Sequence, residues 1–238
     1  MMCNNDQGVR AIQDFPPLMF KIGNGETKSD REWLKKKKEY FTKLWAKNGP
    51  KILTKIEDLC GDTFTNTSKR EGIDIILHKK KLNSRTGDLR EESPLEIHLF
   101  LTKTDTTNFM KERLTRLLTR SFILQKYQFH FRLREQTLFE DILADEFLTS
   151  MVSLMVSGKK PGRTSCEKAL DEAIGETVYR LSQKNARSKL LDAMCSFSQD
   201  YTRKIKNEKT DILEEKENLI AKLLSFLPES VYDEARCL

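Results

Sequence analysis

The chain has 238 residues, of which 42 are lysine or arginine and 36 are aspartate or glutamate, giving a formal net charge of +6 at pH 7. A third of the residues are charged and 38% are hydrophobic, which is more apolar content than intrinsically disordered chains have. Ten glycines and six prolines exclude collagen-like and low-complexity proteins. The length is typical of one globular domain, or of one domain with a helical extension.

The N-terminal residues and the cysteines indicate the compartment. The start, MMCNNDQGVRAIQDF, lacks the apolar stretch of a signal peptide, and no segment has the roughly 18 consecutive apolar residues of a membrane helix. The five cysteines are scattered without a CxxC pair, which argues against a disulfide framework or a zinc knuckle. Cys237 is the penultimate residue, so the C-terminus is not a prenylation box. We therefore expect an intracellular protein, of the cytoplasm or the nucleus, that does not engage a membrane.

Charge is distributed unevenly along the chain. Residues 1–30 carry a net charge of −1, and residues 136–238 carry −3. Residues 31–135 hold 24 basic and 14 acidic side chains, a net charge of +10. A basic segment of this kind is typical of proteins that bind a polyanion. It also fits an attraction between the two halves of the chain, and the charge pattern leaves both interpretations open.

The first quarter of the chain is predicted to be a loose arm followed by two helices. Residues 1–28 show no apolar periodicity. A capping box formed by Ser29 and Glu32 predicts the start of the first helix. The segment Asn48-Gly49-Pro50 predicts the end of that helix and the start of a second one, which Gly61 terminates.

Three stretches in which apolar residues alternate with polar ones predict strands. The first runs from residue 73 to 77, the second from 95 to 101, and the third from 127 to 133. The polar segment between the first two strands reads as a long basic hairpin loop, and residues 105–121 read as a helix. The third stretch, YQFHFRL, has the most regular alternation in the chain.

From Thr137 onward the apolar residues recur at helical spacing, interrupted by the linker GKKPG. We predict a flexible N-terminal arm (1–28), a basic α/β module (29–157), a linker (158–163) and a helical module (164–238). The predicted fold class is α+β and predominantly α-helical. It has a small three-stranded antiparallel sheet with flanking helices, followed by a C-terminal helical bundle.

The basic module carries a dense set of arginine and lysine side chains. Arg113, Arg116 and Arg120 recur at i, i+3 and i+7, so they share one side of the predicted helix. Such clusters neutralise phosphates and release counterions from nucleic acid. The predicted nucleic-acid-binding residues lie in the hairpin loop, on this helix and on the polar face of the third strand: Lys79, Lys80, Lys81, Arg85, Arg113, Arg116, Arg120, Lys126, Arg132 and Arg134.

The three histidines, His78, His98 and His130, fall on strand positions opposite the apolar rows. Alternation then predicts that all three lie on the same side of the sheet. Three imidazoles are suitable ligands for zinc or a similar ion. Because the sequence lacks the close, ordered ligand spacing of a metal site, we predict no metal and no cofactor.

One acidic pattern resembles the core of a nuclease family. Asp74 on the first strand and Glu96 with His98 on the second share a predicted face. The order helix, strand, strand, helix, strand resembles the restriction-endonuclease-like fold, whose motif places Asp on one strand and Glu-x-Lys on the next to hold a divalent ion. Here His98 stands at the lysine position, and no proline precedes Asp74. The resemblance implies a metal-dependent nuclease as an alternative function.

Common catalytic motifs are absent, because the chain contains no GxxxxGK[ST], GxGxxG, HExxH or GxSxG. We therefore predict a non-enzymatic protein without catalytic residues, whose basic surface in residues 79–134 binds nucleic acid, with RNA slightly favoured. The amphipathic helices of residues 164–226 are expected to mediate assembly, with a protein partner or with a second copy of the chain. The alternatives are a helical protein-interaction scaffold or adaptor and the metal-dependent nuclease.

Overall fold

The computed structural model describes residues 15–80, 87–89, 95–131, 139–176, 184–207 and 211–224, and it is mainly helical. Four strands and seven helices lie within these ranges. In chain order they are β1 (Leu18–Ile22), α1 (Lys28–Cys60), α2 (Asn66–Glu71), β2 (Ile73–Lys79), β3 (Gly87–Leu89), β4 (Glu96–Leu101), α3 (Thr107–Phe131), α4 (Phe139–Val156), α5 (Arg163–Glu176), α6 (Lys184–Asn207) and α7 (Ile212–Leu224).

The sheet has the strand order β1-β2-β4-β3, and its three longer strands are parallel. Only the short strand β3 runs antiparallel, along the outer edge of β4. The predicted antiparallel three-stranded sheet is therefore wrong. Helices α1 and α2 return the chain to the same end of the sheet between β1 and β2, which makes these strands parallel. Strand β3, which is antiparallel to β4, returns the chain to the same end of the sheet between β2 and β4. The segment that joins β2 to β4 is therefore not a simple hairpin loop.

Strand β1 lies inside the segment that the sequence predicts to be a loose arm. It pairs with β2 from Leu18 opposite Ile73 to Ile22 opposite Leu77. Phe20 at the centre of β1 is buried and stacks on Phe41 of α1, with ring centroids 5.7 Å apart. The sequence of this strand, LMFKI, does not alternate between apolar and polar residues, so the local pattern does not predict it and the strand depends on its partners in the sheet.

The third predicted strand is helical over residues 127–131, where it forms the last turn of α3. Residues 132–133 of that prediction lie outside the described ranges. Extending a helix that already exists adds one hydrogen bond for each residue that is fixed, whereas a new strand needs a partner strand. The alternation in YQFHFRL is therefore overridden by the helix that precedes it. The described residues contain no third strand after this helix, so the element order that resembles the endonuclease fold is not found in them.

Helix α1 is continuous through Pro50, although the sequence predicts two helices there. Phe41 before the proline and Ile52 and Ile56 after it are all buried, so both halves pack in the same core. That packing offsets the loss of one backbone donor at Pro50. The N-cap is Thr27, two residues before the predicted cap Ser29, because the Thr27 side chain accepts a hydrogen bond from the Asp30 amide at 3.2 Å.

The end of α1 confirms the prediction at Gly61. This residue has φ = 74°, in the left-handed region that favours glycine, and its amide donates to the Glu57 carbonyl oxygen at 2.9 Å. Strands β2 and β4 also confirm their predicted alternation. Their inward residues are fully buried: Ile73, Ile75, Leu77, Ile97, Leu99 and Leu101.

One cluster of buried apolar side chains runs through both the sheet and the helices. Helices α1 and α3 contact the strands, and α4 packs against α1, α3, α5 and α7. Leu143, Phe147 and Val152 of α4 are each at most 2% exposed. Helix α4 is therefore the central helix against which the surrounding elements are held. No helix in the described part of the chain is long and apolar enough to cross a membrane.

Candidate functional site

The predicted arginine row of α3 faces the inside of the protein. Arg116 Nη2 donates a hydrogen bond of 2.8 Å to Glu146 Oε2, and Arg120 Nη1 lies 2.8 Å from Glu146 Oε1. Glu146, on α4, is 1% exposed. Two guanidinium groups therefore share one buried carboxylate, and this arrangement joins α3 to α4.

Arg113 joins α3 to the sheet. Its Nη1 donates a hydrogen bond of 2.8 Å to the carbonyl oxygen of Phe100, and it lies 3.5 Å from Asp105 Oδ2. Burial lowers the pKa of the Arg113 guanidinium below its ordinary value, and the Asp105 carboxylate opposes this shift. The group is cationic but partly desolvated, so it interacts strongly with any anion that approaches it.

The other described residues of the predicted site are separated from one another. Lys79 Nζ lies 2.6 Å from Asp30 Oδ1, and this hydrogen bond holds the pKa of the Asp30 carboxyl below its usual value. Lys80 is half-buried at the end of β2. Lys126 Nζ lies 2.7 Å from Asp62 Oδ2. Four residues of the prediction lie outside the described ranges: Lys81, Arg85, Arg132 and Arg134.

Two cavities lie on the helical side of the protein, and most of the charged residues that line them are basic. The first, of about 210 Å³, lies between α3, α4 and α5. Its charged lining residues are Glu112, Arg113, Arg116, Lys159 and Lys168. Four serines complete much of its polar lining: Ser150, Ser153, Ser157 and Ser165. Among the predicted site residues, only Arg113 and Arg116 line it.

The second cavity, of about 340 Å³, lies between α1, the first turns of α3 and the end of α4. Its charged lining residues are Lys51, Lys55, Lys111 and Glu112. Because Glu112 and Ser157 line both cavities, the two are contiguous. Together their walls contain seven basic side chains and one acidic side chain, and that acid, Glu112, contacts Lys159 at 2.6 Å.

A row of exposed lysines on α1 leads into the second cavity. Lys43, Lys47, Lys51 and Lys55 follow one another at intervals of four residues, so they lie along one side of the helix. In the described structure, the first three make no ion pair. Lys55 Nζ donates a hydrogen bond of 3.2 Å to the Val156 carbonyl oxygen at the end of α4. We call this row and the two cavities the basic track.

Most of the basic track was not predicted. The spacing of the α1 lysines is visible in the sequence, but the predicted helix break at Pro50 divided the row into two halves. Lys111, Lys159 and Lys168 are distant in sequence, and the packing of α4 against both α3 and α5 brings them to the same side of the protein. Lys37 follows the expectation for an amphipathic side chain, because its Nζ lies 5.7 Å from the centre of the Trp33 ring.

The polar face of the sheet carries a chain of two histidines and two glutamates. His78 Nε2 and His98 Nδ1 are 2.9 Å apart, and His98 Nε2 is 2.8 Å from Glu96 Oε1. His78 Nδ1 lies 3.4 Å from Glu26 Oε1. Two of the three histidines therefore share the predicted face, whereas His130 is in α3 and not on a strand.

The contacts of this face differ from those of a metal centre. Both ring nitrogens of His78 and of His98 face another side chain. The two rings also stack on each other, with an interplanar angle of 17°. Asp74 is opposite Glu96 in the register, but its carboxylate pairs with Lys21 of β1 at 2.5 Å. Within the described ranges, no three histidine, cysteine or acidic side chains are grouped so that they could hold a metal ion.

Comparison with protein-family models, with curated proteins and with solved structures finds no match for this chain.

Proposed function

We propose that the protein binds nucleic acid, with RNA slightly favoured over DNA, through the basic track. The observation that carries the proposal is the composition of the two contiguous cavities, whose seven basic side chains are accompanied by a single acid. The exposed α1 lysines extend this cationic surface. The proposal keeps Arg113 and Arg116 from the sequence-based site and adds residues of α1, α4 and α5.

The chemistry of the track fits the sugar–phosphate backbone. Lysine side chains on an exposed helix contact phosphates as point charges and do not distinguish bases. Each phosphate that is neutralised releases condensed counterions, so affinity decreases as salt increases. With about six contacts to a single strand, we expect affinity to decrease by roughly 10²–10³ between about 50 and 200 mM salt.

The test is fluorescence anisotropy with a labelled single-stranded RNA and a DNA duplex at those two salt concentrations. The variant Lys47→Glu with Lys51→Glu should weaken binding at least tenfold at low salt and reduce the salt dependence. If the wild-type protein does not bind either nucleic acid at low salt, the proposed function is incorrect. Polyglutamate as a competitor tests the alternative that the basic track binds an acidic protein. If that alternative is correct, polyglutamate should displace RNA at a similar concentration of negative charge.

A matched control is available on the same helix. Lys35 and Lys38 are also exposed lysines of α1, but they lie roughly 140–160° around the helix axis from the middle of the lysine row. Lys35→Glu with Lys38→Glu changes the net charge by the same amount. We expect it to weaken RNA binding less than threefold. Equal losses in both double variants would show that net charge, and not the basic track, determines affinity.

A further inference from the structure

A buried hydroxyl group without a partner lines the cavity between α3, α4 and α5. Ser150 is 9% exposed, and its Oγ makes no hydrogen bond to any described residue. Two other buried hydroxyls are satisfied locally, since Thr119 Oγ1 donates to the Thr115 carbonyl and Ser153 Oγ donates to the Ser150 carbonyl. Leaving a buried hydroxyl unpaired destabilises the folded state. This destabilisation is removed if a ligand in the cavity accepts a hydrogen bond from Ser150.

The charges around Ser150 select an anion. Arg113 and Arg116 approach from α3, Lys159 from the turn after α4, and Lys168 from α5. The first turn of α5 contributes Ser165, at the helix end where backbone amides and the helix dipole favour negative charge. Among the described residues of the lining the one acid is Glu112, which is about half exposed and contacts Lys159.

The size of the cavity limits what this anion is. A volume of about 210 Å³ is below the roughly 300–1,000 Å³ of pockets that enclose drug-sized ligands. It equals roughly seven times the volume that one water molecule occupies in the liquid. A tetrahedral oxyanion with a few water molecules fits this space.

We propose that the cavity between α3, α4 and α5 binds one phosphoryl group, with the Ser150 hydroxyl donating a hydrogen bond to it and the four basic side chains neutralising its charge. This inference deepens the proposed function and depends on it for the source of the group. In a nucleic acid the phosphoryl group belongs to the backbone or to a terminal phosphate. Inorganic phosphate has the same chemistry and is the probe that isolates the cavity.

The first experiment titrates inorganic phosphate into the full-length protein by calorimetry, in chloride buffer at constant ionic strength. The wild-type protein should bind phosphate, and Ser150→Ala should reduce the affinity about tenfold, because a hydrogen bond to a charged group is lost. The melting temperature of Ser150→Ala should be unchanged or higher, since the substitution removes an unsatisfied polar atom. Absence of phosphate binding, or equal binding by both proteins, overturns the proposal.

The adjacent residue supplies a matched control. Thr149 is 0% exposed and its Oγ1 also makes no hydrogen bond, but it does not line the cavity. Thr149→Val therefore removes the same kind of buried hydroxyl with little change of shape. We expect it to leave phosphate affinity within twofold of wild type. A tenfold loss in this variant as well would show that general changes in α4, and not the Ser150 hydroxyl, affect the cavity.

The second experiment separates this proposal from the proposed function. RNA with a 5′-phosphate and the same RNA with a 5′-hydroxyl are compared by anisotropy for the wild-type protein and Ser150→Ala. A loss confined to the phosphorylated RNA identifies a terminal phosphate, and an equal loss for both identifies a backbone phosphate. RNA binding that Ser150→Ala leaves unchanged overturns the cavity proposal alone. Phosphate binding without RNA binding overturns the proposed function alone.

Discussion

The arginine row of α3 and the lysine row of α1 carry similar charge but have different surroundings. Arg116 and Arg120 are fixed against the buried Glu146. Lys47 and Lys51 extend into solvent and make no ion pair in the described structure. The comparison shows that a cluster of basic residues in a sequence does not by itself identify a binding surface. A charge with a buried partner stabilises the fold even where, as with Arg116, it also lines a cavity, whereas an exposed lysine without an ion pair contributes mainly to the surface that a ligand meets.

The largest effect is expected for the buried carboxylate. Glu146→Gln leaves two partly buried guanidinium groups without their counter-ion, and removing one partner of a buried ion pair costs roughly 3–5 kcal/mol. Because Arg116 and Arg120 are partly exposed, we expect a smaller decrease in the free energy of unfolding, about 2–3 kcal/mol. Urea denaturation measures it.

The same substitution at an exposed pair is the control for Glu146. Glu112 contacts Lys159 at 2.6 Å, and both side chains are about half exposed. Glu112→Gln should change the free energy of unfolding by less than about 0.5 kcal/mol. If Glu146→Gln is as mild as Glu112→Gln, the arginine row does not stabilise the fold and the distinction between the two rows is lost.

An intermediate effect is expected for Glu57, on the buried side of α1. Burial raises the pKa of its carboxyl, although the Phe64 amide donates a hydrogen bond of 2.9 Å to its Oε1. The folded state therefore holds the proton more strongly than the unfolded state. The stability that this provides is complete at low pH and is lost as pH rises through the raised pKa.

Glu57→Gln removes this pH dependence while it keeps an acceptor for the Phe64 amide. The wild-type free energy of unfolding should decrease relative to that of the variant as pH rises above about 4. Urea denaturation of both proteins at about pH 4 and 7.5 measures the difference. A difference that has the opposite sign, with the wild type gaining stability at higher pH, would contradict the assignment.

The smallest effect is expected for the lysine row itself. Lys47→Gln removes one exposed charge without a protein partner, so the free energy of unfolding should change by less than about 0.5 kcal/mol. The measurement is urea denaturation at about 50 and 200 mM salt. A decrease of more than about 1 kcal/mol would show that Lys47, like Arg116 and Arg120, stabilises the fold.

Local sequence patterns predicted the strands in which buried and less buried side chains alternate. The alternation of residues 73–77 and 95–101 predicted β2 and β4 and placed Asp74, Glu96 and His98 on a common face, as the structure confirms. The αL glycine at the end of α1 was also predicted. The strand predicted over residues 127–131 is wrong, because a period-two pattern of aromatic residues is also compatible with the continuation of a helix that began earlier.

The residue pattern was enough to predict a mostly helical chain, the positions of two strands and the residues of those strands that face the core. These properties depend on side chains that are close to one another in sequence. The parallel direction of the long strands, the pairing of Arg116 and Arg120 with Glu146, and the cavity that Arg113, Ser150 and Lys168 line became visible only in the folded chain. Each of these contacts joins residues distant in sequence, and it forms because burying the shared apolar core brings their helices together.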